Sequence, residues 1–206
     1  MKKLVIIGAG GHGKVVADAA AKSGYEEIVF LDDGNVSLAG KRSVVGTSKD
    51  YEKYLMDSDF VVAIGNNAVR ERIQNMLAQA GARIATIIHP DAVIGEDVVV
   101  GQGTVVMAGV VVNSGSNIGR GVILNTCCSV DHDNKIGDFC HISVGTHLAG
   151  TVTVGRRSFI GIGACVINNV EICDDCIIGA GAVVIRDVPE SCTAVGNPAK
   201  PIKFNK

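Results

Sequence analysis

Asp131-His132-Asp133 sets one imidazole between two carboxylates. A histidine held in this way can take a proton from a nucleophile while a neighbouring carboxylate supports its charged form. His132 stands two places after Val130, a position that a tightly wound coil turns outward. His141 and His147 recur six residues apart. They are the right residue type for zinc, but a site needs more converging ligands than two, and no metal is expected. Nine residues separate His132 from His141. His89, directly before Pro90, reads as structural.

A second constellation lies near the start. Gly8-Ala9-Gly10-Gly11-His12-Gly13 follows the apolar run 4–7 and precedes the helical spacing of 14–22, where Val15, Val16 and Ala19 share one side. Glycines at such a turn let backbone approach a phosphate, and amides at a helix start donate to it. Asp32 ends a second strand, 28–31, about where an acidic residue meets a ribose hydroxyl. A dinucleotide fold needs two mononucleotide halves. Only one fits here, so one nucleotide is expected and NAD is not.

The elements that position these groups follow two different patterns. Residues 1–84 alternate strands and helices, with a further strand at 60–64 ending in Gly65-Asn66-Asn67 and a helix at 69–80 stopped by Gly81. That order predicts a small parallel α/β sheet. Through 85–206 an aliphatic residue recurs at every sixth position from Ile88 to Val184, 17 times without a break. Glycine follows many of them directly, as at Gly95, Gly101 and Gly137. A small or β-branched residue often stands four places on, including Cys128, Cys140 and Cys176. A period of six predicts a parallel β-helix, with one short strand and one turn per hexad and the large aliphatics at its centre.

Composition narrows the function. A chain of 206 residues with 47% hydrophobic and 19% charged content can bury a core. Its net charge of -2 gives no electrostatic case for nucleic acid or an anionic membrane. No apolar run is long enough to span a bilayer, and the first one stops at Gly8 as a strand would, so the chain is expected to be cytoplasmic. The seven cysteines read as reduced thiols; Cys173-Asp174-Asp175-Cys176 lacks the second pair that a zinc site needs.

The hexads resemble the hexapeptide-repeat acyltransferases, whose coil is left-handed with three hexads, about 18 residues, per turn. The terminal Gly196-Asn197-Pro198-Ala199-Lys200 resembles that superfamily's ending. With GAGGHG at 8–13, LDD at 31–33, IGNN at 64–67 and the stretch 121–150, the whole chain resembles the PglD/NeuD-type sugar acetyltransferases. Within them it is most similar to the bacillosamine-pathway enzymes, which acetylate the 4-amino group of a UDP-linked 4-amino-4,6-dideoxy sugar.

The resemblance implies a Rossmann-like α/β half domain joined to a left-handed parallel β-helix, a homotrimer, and acetyl-CoA as co-substrate. By position it implies His132 as general base and Asp133 as the acid that orients it, where relatives often have glutamate. Gly10, Gly11, His12, Asp32, Asp33 and Gly65 match positions contacting the nucleotide sugar. Asn125, His141, Gly150, Ile162 and Ala180 match positions around acetyl-CoA, in a groove between neighbouring β-helices. The competing readings are a sugar O-acetyltransferase of the sialic-acid type, using the same base on a hydroxyl, and a non-catalytic β-helix that binds nucleotide sugar.

Overall fold

The structure, a computed structural model, describes residues 2–34 and 37–204. The N-terminal part contains β1 (Lys3–Ile7), α1 (Gly11–Lys22), β2 (Glu27–Leu31), β3 (Leu38–Ala39), β4 (Arg42–Gly46), β5 (Asp59–Val62), α2 (Asn67–Gln79) and β6 (Arg83–Ile84). The sheet order is β3-β4-β2-β1-β5-β6, parallel except for the β3–β4 pair. Leu4–Ile7 is buried on both faces, which explains its unbroken apolar run. Chain order reverses at β1, so a crevice opens beyond its carboxyl end, between the loops after β1, β2 and β5.

Helix α1 begins at Gly11, earlier than its apolar spacing indicated. A Cβ on Gly13 would collide with the Gly8 carbonyl, so the last glycine of the motif serves helix–strand packing. Val15 does not join the buried stripe: it is 45% exposed, while Val16, Ala17, Ala19 and Ala20 face the core. Small residues allow close approach on that side, and this packing sets the helix's rotation.

From Ile87 onward the chain winds into a left-handed β-helix of two-residue strands. Face A holds Ile87–Ile88 and every third strand after it to Ile177–Ile178. Face B runs from Val93–Ile94 to Val183–Val184, and face C from Val99–Val100 to Glu171–Ile172. Strands pair in parallel with the strand one coil on, as Val105 with Ile123 and Val111 with Ser129. Cys192–Val195 and then Lys200–Phe204 extend face A, the last strand antiparallel.

The central aliphatics from Val106 to Val184 are buried, but Ile88 is 36% exposed because its strand is the first of face A, with no coil beneath it. The small residues hold the coils together. Thr104, Ser116, Thr146 and Ser158 each donate a hydroxyl to the carbonyl fifteen residues on, at 2.7–2.9 Å. The turns also show what the glycines after the aliphatics do. A Cβ on Gly101 or Gly137 would come within 2.5 or 2.7 Å of the Arg120 or Arg156 backbone nitrogen in the next coil. Left-handed backbone falls two places later, at Asp97, Cys127, Asp133 and Arg157 as well as at glycines.

Arg70 on α2 fastens the α/β part to the coil. Fully buried, it donates Nε to the Gly121 carbonyl and Nη2 to the Phe139 carbonyl, both at 2.7 Å, and Nη1 to the Ile64 carbonyl at 2.8 Å. Asn67 adds a bond to the Arg157 carbonyl at 2.7 Å. These coil acceptors lie on the corner between faces C and A. Among the described residues no helix is long and apolar enough to cross a membrane.

Candidate active site

His132 lies on a different corner, between faces B and C, in the turn after Ser129–Val130. It is 55% exposed, and its Nδ1 is 2.8 Å from Asp133 Oδ2. Asp133 makes this contact from the left-handed position of the turn, with φ of 57°. Asp131 accepts the His132 amide at 2.8 Å and Asn113 Nδ2 at 2.7 Å. The Asp133 hydrogen bond and the charges of Asp131 and Asp133 raise the His132 pKa above its ordinary value, against a smaller opposing effect of desolvation. With Nδ1–H engaged by Asp133, neutral His132 keeps its lone pair on Nε2, as a general base requires.

One coil on, a Cβ at Gly150 would overlap the His132 imidazole. The ring therefore occupies space that glycine leaves open. Alongside runs a groove of about 350 Å³ lined by Asn113, Ser129, Asp131, His147 and Cys165, in which Ser129 Oγ and His147 Nδ1 are 2.8 Å apart.

The second constellation occupies the crevice beyond β1. Gly8 needs its missing side chain, since φ is 107° and a Cβ would meet the Ala63 carbonyl at 2.9 Å. Gly10, Gly11 and Gly65 instead face open space. Asp32 accepts the Ala9 amide through Oδ2 and the Gly34 amide through Oδ1, both at 2.7 Å, so it braces the glycine loop. Asp33 accepts Ser48 N and Oγ, both at 2.8 Å. Asp32, Asp33 and Ser48 border a cavity of about 180 Å³ with Gly8 and Leu31.

His12, in the first turn of α1, and His141, on face A, come together with ring centroids 6.3 Å apart. The residue matched to the nucleotide sugar and one matched to acetyl-CoA are thus neighbours in one chain. Asn125 accepts the Thr126 amide through Oδ1, which turns its Nδ2 toward His141 Nε2 at 3.1 Å. Neutral His141 then carries its proton on Nδ1. Burial, then the Arg70 charge and then His12, pull the His141 pKa down to about 3; burial and then Arg70 pull His12 to about 4. His12 Nε2 is buried without a hydrogen-bond partner. Phe159 meets His141 edge-on at 5.0 Å, and a cavity of about 480 Å³ extends from Gly65, Asn66 and Asn67 to Phe159 and Ile177.

The remaining matched positions separate. Asn125 and the exposed Ile162 and Ala180 lie on the corner between faces A and B, whereas Gly150 shares the corner of His132. His141 and His147 are on faces A and B. Among the described residues no three His, Cys, Asp or Glu side chains gather as a metal ion would need. Sequence reasoning missed Arg70, Asn113, Ser129 and Phe159. Only Ser129 left a trace, as the residue one coil before His147.

The family model for the PglD N-terminal domain matches residues 3–77, and that for the bacterial transferase hexapeptide (six repeats) matches 151–186. The chain is 31% identical to GDP-perosamine N-acetyltransferase of Escherichia coli O157:H7, across 96% of this chain and 95% of that one. The acetyltransferase domain of PglB from Neisseria gonorrhoeae FA1090, solved in complex with acetyl coenzyme A, is 45% identical with a TM-score of 0.95, covering 98% of this chain and 99% of that one. PerB from Caulobacter crescentus, in complex with CoA and GDP-perosamine, is 40% identical with a TM-score of 0.94, covering 98% of both chains.

Proposed function

From the premise that this chain belongs to the PglD-type family of nucleotide-aminosugar N-acetyltransferases, we propose that it moves an acetyl group from acetyl-CoA to the 4-amino group of a UDP-linked 4-amino-4,6-dideoxy sugar in the cytoplasm. The class of reaction follows from the family. The observation that carries the mechanism is the His132 Nδ1–Asp133 Oδ2 contact of 2.8 Å, which leaves Nε2 as the nitrogen that can accept a proton on a half-exposed ring.

His132 Nε2 takes a proton from the sugar amine as the nitrogen attacks the thioester carbonyl. The new C–N bond forms, the C–S bond breaks, and the coenzyme A thiolate leaves, to be protonated from the imidazolium. Asp133 stabilises the imidazolium, and a backbone amide along the coil stabilises the tetrahedral oxyanion. Holding both substrates in line contributes much of the acceleration.

Gly10, Gly11, His12, Asp32, Asp33 and Gly65 are proposed to bind the nucleotide sugar, and Asn125, His141, Gly150, Ile162 and Ala180 to bind acetyl-CoA. These acetyl-CoA positions are spread over several turns of the β-helix, on two of its corners and, for His141, on face A. A single groove lined by all of them needs two copies, which supports the proposed homotrimer. Acetyl-CoA consumption against UDP-, GDP- and dTDP-linked 4-amino sugars tests the reading. Turnover with the UDP sugar above the others is expected. Preference for a GDP sugar would move the nucleotide assignment, acetylation of hydroxyl sugars alone would favour an O-acetyltransferase, and failure to bind acetyl-CoA would leave a binding protein.

A further inference from the structure

Asn134 stands four places after the central Val130, in the column of small residues that Ser116, Cys128, Thr146 and Ser158 exemplify. It is fully buried and is the one carboxamide in that column. Its Nδ2 lies 2.7 Å from the Asp131 carbonyl, 2.9 Å from the Ala149 carbonyl and 3.2 Å from the His132 carbonyl. All three are acceptors, so the amide orientation is fixed: the nitrogen faces them, and Oδ1 is left buried without a hydrogen-bond partner. Burying an unpaired acceptor costs stability, a cost that the hydroxyls, thiols and methyls elsewhere in the column avoid.

What this amide fixes is the peptide backbone on both sides of the His132 Cα, together with the next coil beside Gly150. The His132 carbonyl also accepts the Thr151 amide at 2.9 Å. Ser116 Oγ donates to the Asp131 carbonyl at 2.7 Å and receives the Asn134 amide at 3.1 Å, so three successive coils are bound around this turn. We propose that Asn134 is a positioning residue for the reaction: it locks the turn so that His132 lies over Gly150 with Nδ1 on Asp133. This inference rests on the reading of His132 as the base.

The test is Asn134→Ser, the residue that Ser116 and Ser158 show the column accepts, made in the wild-type and His132→Ala backgrounds. Expected is a fall in kcat on the order of 10-fold, with KM for both substrates nearly unchanged, because small losses of catalytic geometry act on the chemical step. The acid limb of the kcat profile should move down toward the ordinary histidine value as the Asp133 contact loosens. In the His132→Ala background the same change should have no further effect on the residual rate. Asn134→Thr, the Thr104 and Thr146 type, serves as the second variant, and thermal melting confirms that each is folded. A folded variant with wild-type kcat and pH profile, or an equal loss in both backgrounds, would overturn the role of Asn134. Retained turnover in His132→Ala itself would instead overturn the base assignment.

Discussion

The imidazole of His132 fills the space where a side chain at Gly150 would be, one full coil farther along the chain. The open space at Gly150 is therefore taken up by a side chain eighteen residues earlier, and the φ of Gly150 is not among the left-handed ones. Gly150→Ala should push the ring off its position while leaving the coil wound. A displacement near 1 Å at a reacting group costs on the order of 100-fold in rate. Steady-state kinetics should show that loss in kcat. Unchanged turnover would mean that the ring has freedom to spare.

His132→Ala removes the proposed proton acceptor and should lower kcat by about 100- to 10,000-fold, with acetyl-CoA binding and assembly retained. Asp133→Asn should cost less, because the imidazole remains. The pH profile separates the two roles. Since Asp133 and Asp131 raise the His132 pKa, the wild-type acid limb should lie above the ordinary value of about 6.5. Activity falls as pH drops through it and the base becomes protonated. Asp133→Asn should shift that limb to lower pH. A limb that stays in place would show that the contact does not set the titration.

His12 and His141 make the opposite contribution to stability. Their folded values, about 4 and about 3, lie below the ordinary value that the unfolded chain recovers. Between those limits the unfolded state binds more protons than the folded one, so stability rises with pH there. The stabilisation is present above about pH 6.5 and is lost as pH falls toward the folded values. Urea midpoints should thus drop between about pH 7 and about pH 5, and less steeply in His141→Asn. An equal slope in that variant would remove His141 from the account.

The β-helix was legible because its period of six leaves an aliphatic in every turn, and the structure buries those from Val106 to Val184 as expected. The glycine loop was legible from Gly8, Gly10 and Gly13, though only Gly8 and Gly13 prove to be sterically required. Arg70 was not legible. A single arginine on an amphipathic helix reads as solvated, and only the carbonyls of Gly121 and Phe139, brought near by the winding of the coil, make it a buried clamp. The meeting of His12 with His141 was hidden for the same reason: it depends on how α1 packs against face A, and no local pattern encodes that angle.

The α/β attachment and His132 are on different corners of the β-helix, since Arg70 and Asn67 hold the α/β part at the corner between faces C and A and His132 follows face B. In the proposed homotrimer, a site that uses both the α/β crevice and His132 draws them from two copies. Two inactive variants with lesions on opposite sides, His132→Ala and His12→Ala, should therefore complement. Each homo-oligomer is expected to be inactive or nearly so. Subunits exchanged in mild denaturant and reassembled together should regain part of the wild-type rate, because some sites pair an intact His132 with an intact His12. Mixing without subunit exchange should restore nothing, and light scattering should report a trimer in every sample. Recovery absent from a verified mixed oligomer would place both histidines in the same subunit's site, and an active His12→Ala homo-oligomer would show that His12 is dispensable to the chemistry.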